Sequence, residues 1–107
     1  MKKFVFVYHG TMSQENISQE DMKRTMDKWM AWFGTFKDQM VDGGNPFAPM
    51  GKAVSAQGVE TVSAAQHPAT GYTIINAKDI EEASVIAKGC PILENKGSVH
   101  VYEALPM

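Results

Sequence analysis

The sequence has one cysteine, three histidines and no long apolar run, and each scarcity removes a class of protein. One cysteine builds neither a disulfide framework nor a zinc knuckle, and a lone thiol fits a reducing compartment. The histidines, at 9, 67 and 100, lack the short spacing that brings imidazoles onto one metal ion. No segment approaches the roughly 18–20 apolar residues of a membrane span. Lys2 and Lys3 precede an apolar stretch, in the order of a secretion signal. That stretch stops at His9-Gly10, short of the roughly 7–15 residues such a signal needs. A net charge of −2 offers no broad attraction to phosphates, which argues against a nucleic-acid partner. There is no Gly-Lys-Ser/Thr phosphate loop, no dinucleotide fingerprint and no nucleophile elbow. These absences leave the expectation of a cytoplasmic protein with no metal site and no built-in cofactor.

What is present is the make-up of one ordinary globular domain over residues 1–107, 44% apolar and 21% charged. Phe4-Val5-Phe6-Val7-Tyr8 is short, aromatic and β-branched and ends at Gly10, which predicts a strand. Phe4, Phe6 and Tyr8 share one face and Val5, Val7 and His9 the other. Apolar residues on both faces predict a central strand. Ser18 is then placed to cap a helix, with Asp21 three residues on and Ile17 and Met22 as a hydrophobic staple. Met22, Met26, Trp29, Met30, Phe33, Phe36 and Met40 recur at three- and four-residue steps, flanked by Trp32. They predict a long amphipathic helix, mainly core on that side, stopped by Gly43-Gly44.

A Gly- and Pro-rich loop follows over residues 42–51, then weaker strand signals at 52–56 and 59–63 around a turn at Gly58. Residues 64–71, with His67-Pro68, read as another loop. Tyr72-Thr73-Ile74-Ile75-Asn76 is a strand by residue type. Asp79 caps a second helix, with Glu82 as its box partner and Ile80, Ala83, Ile86, Ala87 and Cys90 on its buried side. Gly89 and Pro91 end it. In the last strand, Val99 and Val101 face one way and His100 and Tyr102 the other.

This order predicts an α+β fold of the ferredoxin-like βαββαβ type, an antiparallel sheet with two helices on one face. The opposite sheet face would be bare yet apolar, and packing two such faces together predicts a homodimer.

At this point the chain resembles the YCII-related family, in its DGPF-type branch, of the dimeric α/β-barrel superfamily. The resemblance is carried by the opening Phe4-Val5-Phe6-Val7-Tyr8-His9-Gly10 and by Lys28-Trp29-Met30-Ala31-Trp32. It continues through Gly71-Tyr72-Thr73-Ile74-Ile75-Asn76-Ala77, Asp79-Ile80-Glu81-Glu82-Ala83, Gly89-Cys90-Pro91 and Gly97-Ser98-Val99-His100-Val101-Tyr102. It implies one YCII-related domain over the whole chain, assembled as a dimer. Two departures stand out. Gln66-His67-Pro68-Ala69 replaces the Asp-Gly-Pro-Phe turn of many DGPF-type relatives. The better-known branch carries a His on the first helix and an Asp before the Pro after the second helix, a pair credited with acid–base work. Here Cys90 matches that Asp and the His falls near Trp32, so the family's chemistry does not carry over.

The candidate chemistry is correspondingly thin. His9 ends a central strand, from which an imidazole could project between sheet and helices and act near neutral pH. Cys90 stands at the negative end of a helix, which disfavours a thiolate, and a packed inert thiol is the stronger reading. His100 falls on the dimer face, and His67 in a solvent loop. Trp29, Trp32 and Phe36 offer a soft aromatic wall. The leading expectation is a dimer that binds a small molecule, aromatic or not, between the first helix and the sheet, with His9, Trp32, Phe36 and Cys90 as ligand-binding candidates. The alternatives are a cofactor-independent enzyme using His9 on a small metabolite and a regulatory or accessory interaction module.

Overall fold

Alternation along the first strand decides how the sheet is covered. In the computed structural model, which describes residues 1–10, 18–48, 50–63 and 69–107, strand β1 is Lys2–His9. Phe4, Phe6 and Tyr8 are buried, while Val5, Val7 and His9 lie half-buried on the other face. β1 pairs antiparallel with β5 (Ala69–Ala77) on one side and β6 (Ser98–Ala104) on the other, so it is central, as its two apolar faces predict. A short strand β2 (Met40–Asp42) pairs with the outer edge of β5, giving the order β2-β5-β1-β6.

Two helices cover the Phe4 face. α1 (Gln19–Thr35) starts at Ser18, whose hydroxyl accepts the Asp21 N–H at 3.1 Å. Ile17, the other half of the expected staple, lies outside the described residues. α2 (Ile80–Ala87) starts at Asp79, whose carboxylate accepts the Glu82 N–H at 2.9 Å. Trp32 of α1 stacks on Phe6, and its indole N–H donates to the Ile86 carbonyl at 2.9 Å. Ala83 and Ala87 of α2 are buried in the same cluster. One aromatic side chain thus ties both helices to each other and to the sheet. The result is a small α+β fold, its main sheet antiparallel with both helices on one side, compatible with the ferredoxin-like class. No helix among the described residues is long and apolar enough to cross a membrane.

The structure corrects several expectations. α1 ends at Thr35, without reaching Met40: the Phe36 N–H turns back to the Phe33 carbonyl, and a 3₁₀ turn (Lys37–Gln39) leads into β2. Met40 and Asp42 pair with Ile75 and Ile74 of β5, the register shifting between them, and three residues are too few to show a strand period. The predicted strand pair is present as β3 (Met50–Ser55) and β4 (Gly58–Ser63), but it forms its own two-stranded sheet, so the fourth strand of the main sheet is β2. Met22, Met26 and Met30 are exposed, at 41, 65 and 67% for the three, where a core stripe was predicted. Ile80 is exposed as well, at the first position of α2. Gly89 does follow the end of α2 but is not left-handed; a Cβ there would sit 3.0 Å from the Trp32 ring, so its role is to admit that ring. The loop at 64–68, with His67, lies outside the described residues.

Candidate functional site

Burial sorts the four candidate residues before any chemistry is considered. Trp32, Phe36 and Cys90 are all in the core, with Trp32 and Phe36 in edge-to-face contact at 4.7 Å. Burial pushes the Cys90 thiol up to about 12, against a smaller downward pull from its hydrogen bond with the Ile92 backbone. It is a packed, protonated thiol with little nucleophilic character. His9 is on the other side of the sheet. The parity that turns Tyr8 inward turns His9 outward, and its ring lies against His100 at 4.1 Å between centroids. His9 therefore does not project between sheet and helices, and the structure does not bring it together with Trp32, Phe36 or Cys90. His100 in turn approaches the Tyr102 hydroxyl at 3.4 Å on the same open face.

A cavity does lie between α1 and the sheet, but other residues build it. It encloses about 360 Å³ at the β2–β5 edge, toward the small end of the roughly 300–1,000 Å³ common for ligand sites. One wall is the face of α1 carrying Met22, Met26, Trp29 and Phe33, residues three and four apart on successive turns. Tyr8 closes the inner end, its ring edge-on to Trp29 at 5.0 Å. The facing wall is mostly backbone, from Gly43 to Pro46 and along Gly71 of β5.

Close approach makes that backbone wall. Gly44 has φ +77°, and a Cβ there would fall 1.6 Å from the Tyr72 carbonyl oxygen, so only glycine fits. Asp42 fixes the bend, accepting the Gly44 N–H at 2.8 Å and the Tyr72 hydroxyl at 3.3 Å. The chain then runs beside β5, with Pro46 bridged to Gly71 and the Phe47 N–H donating to the Thr70 carbonyl at 2.8 Å. A side chain on Gly71 would press on Asn45 and on the Tyr8 ring, at 3.2 and 3.5 Å. The bare glycine keeps that space open.

The site has little means of transferring a proton. Among the described residues, no Asp, Glu, Lys, Arg, His or Cys side chain lines the cavity. Tyr8 has the most buried polar side chain of the lining, and burial raises its hydroxyl well above the ordinary value, opposed by the hydrogen bond to Thr73 at 2.6 Å. The phenol is neutral at physiological pH. Among the described residues, no cluster of three His, Cys, Asp or Glu side chains could hold a metal ion. Sequence reasoning named Trp29 as part of an aromatic wall but missed Tyr8, Phe33 and the glycines. Strand parity marks Tyr8 as inward-facing; the glycine contacts are tertiary and leave no sequence signal.

Fold and cavity together define a small α+β protein with an uncharged, aromatic- and methionine-lined site between a helix and a sheet edge. Comparison of the chain with protein-family models and with curated proteins gave no match to either.

Proposed function

We propose that this protein binds a small neutral molecule, aromatic or otherwise apolar, in the cavity between α1 and the β2–β5 edge. The observation that carries this reading is the 360 Å³ space with an apolar helix wall and no charged lining side chain among the described residues. Apolar surface gains by leaving water, whereas a charged ligand would lose its hydration without a compensating partner. Met22 and Met26, flexible and polarisable, can adapt to the ligand outline. That no acid or base lines the cavity among the described residues favours binding over turnover. The reading of an enzyme built on His9 has no support from the placement of that residue.

Two further expectations enter the same proposal. The order of elements supports the YCII-related resemblance, and we place the chain in that family as a reading. The open sheet face carries Val5, Val7, Tyr72 and Ile74 in adjacent register, which supports a homodimer formed through it.

A titration with toluene as apolar probe, followed by amide chemical shifts, tests the cavity. Saturable shifts at the Gly43, Gly44 and Gly71 amides are expected, and Met26→Asp, a charge at an exposed mouth position, should weaken binding about tenfold or more. Absence of saturable shifts there, or binding unchanged in Met26→Asp, overturns the reading.

A further inference from the structure

Hydrogen-bond direction at the inner end of the cavity is fixed by counting protons. The Thr73 hydroxyl lies 3.0 Å from the Gly43 carbonyl oxygen and 2.6 Å from the Tyr8 hydroxyl. A carbonyl oxygen only accepts, so the single Thr73 proton goes to Gly43. The contact between the two hydroxyls then needs the Tyr8 proton, and Tyr8 donates to Thr73. A relay runs from Tyr8 through Thr73 to the Gly43 backbone, with both its protons committed. Thr73 is fully buried and held in β5 opposite Phe6, so the relay rests on a rigid element.

This leaves the Tyr8 oxygen as an acceptor. A phenol oxygen has two lone pairs and one proton, and among the described residues no donor is bonded to it. The ring carrying it lines the cavity beside Gly43, where the relay ends. The other polar lining groups offer less. Tyr72 turns its side chain to the open face and gives its proton to Asp42, Thr70 gives its own to the Tyr8 carbonyl at 3.2 Å, and Asn45 and Thr25 are exposed. The phenol oxygen decides whether a donor is rewarded.

We propose that the cavity selects neutral aromatic molecules bearing a hydrogen-bond donor, such as a phenol-type hydroxyl, because the Tyr8–Thr73–Gly43 relay turns the Tyr8 oxygen into an acceptor at its inner end. The inference rests on the cavity-binding reading above and goes beyond it in naming the ligand's polar group. An anionic aromatic acid is disfavoured by the same geometry, since the Tyr8 hydroxyl has no proton to give it and no cation lines the cavity among the described residues. A hydrogen bond of this kind corresponds to roughly a five- to tenfold preference in affinity.

Phenol and anisole differ by one methyl on the donor oxygen and are the direct test, titrated against the intact protein with shifts read at Gly43, Gly44 and Gly71. Phenol should bind about five- to tenfold more tightly than anisole, and benzoate should not bind. Tyr8→Phe should erase the difference between the two probes, because the acceptor oxygen is gone while Thr73 still donates to Gly43. Thr73→Val, which frees the Tyr8 proton, should shrink the phenol preference and improve anisole; this variant decides the question if Tyr8→Phe does not fold. Equal binding of phenol and anisole by the wild type, or a preference that survives both substitutions, overturns the donor rule while leaving the cavity reading intact. Failure of both probes to bind defeats the two together.

Discussion

At the residue scale, what burial does to a group matters more here than what the group is. Cys90 and Tyr8 both carry ionisable hydrogens into the core, and both are held protonated there by burial. The unfolded chain releases the thiol proton above the ordinary value of 9.0, while the folded chain keeps it until about 12. The unfolded state therefore binds fewer protons in that window, and stability falls as pH rises through it, at up to about 1.4 kcal/mol per pH unit for each such group. Urea midpoints should be flat from pH 7 to 8.5 and then drop toward pH 10. Cys90→Ala should flatten that drop between pH 9 and 10 whatever it costs at neutral pH. An identical slope in both proteins would mean that the thiol is solvated. Parity along β1 was legible in the sequence and separates Tyr8 from His9 by itself. Assigning His9 to the cavity sets that parity aside, and the structure restores it. The contact between Gly44 and Tyr72 joins segments 28 positions apart in sequence, and no local pattern announces it.

At the element scale, the capped starts were legible and the ends were not. Ser18 and Asp79 carry their caps in the side chain, so α1 and α2 begin where the sequence says. The end of α1 is set by pairing with β5, a tertiary demand that the apolar stripe through Phe36 and Met40 conceals. The β3–β4 hairpin shows the same division. Its turn at Gly58, with φ +142°, follows from composition, whereas its separation from the main sheet does not. Val54 and Val59 face each other across it and are 76 and 62% exposed. A two-stranded ribbon with so little burial is marginal in water. In dilute protein, hydrogen exchange of β3 and β4 amides should be at least about a hundredfold faster than that of β1 amides. Equal protection in the two would show that the ribbon is held by a surface outside its own two strands.

At the scale of the whole molecule, the described helices cover one face of the main sheet and leave the other open. The Cα radius of gyration is 15.0 Å, against about 13 Å for a compact chain of this length, and the smallest principal extent is 19 Å. A single sheet under a single helix layer has that thickness, and among the described residues no helix packs on the Val5–Val7 side. The face holds Val7 at its centre, opposite Tyr72 on one neighbour and His100 on the other, with Tyr102 56% exposed nearby. The proposed homodimer supplies the missing layer with a second copy of the same face, so each residue meets the interface twice. A lysine at position 7 would then put two ammonium groups into one apolar seam, where desolvation costs several kcal/mol per charge. The same lysine on a free monomer would stay in water. Sedimentation at micromolar concentration should give twice 11.8 kDa for the wild type. Val7→Lys should give a folded monomer with unchanged far-ultraviolet dichroism and a dimer dissociation constant raised more than about a hundredfold. A monomeric wild type, or a Val7→Lys protein that still dimerises, would move the interface elsewhere and leave the exposed methionines of α1 as the next face to probe.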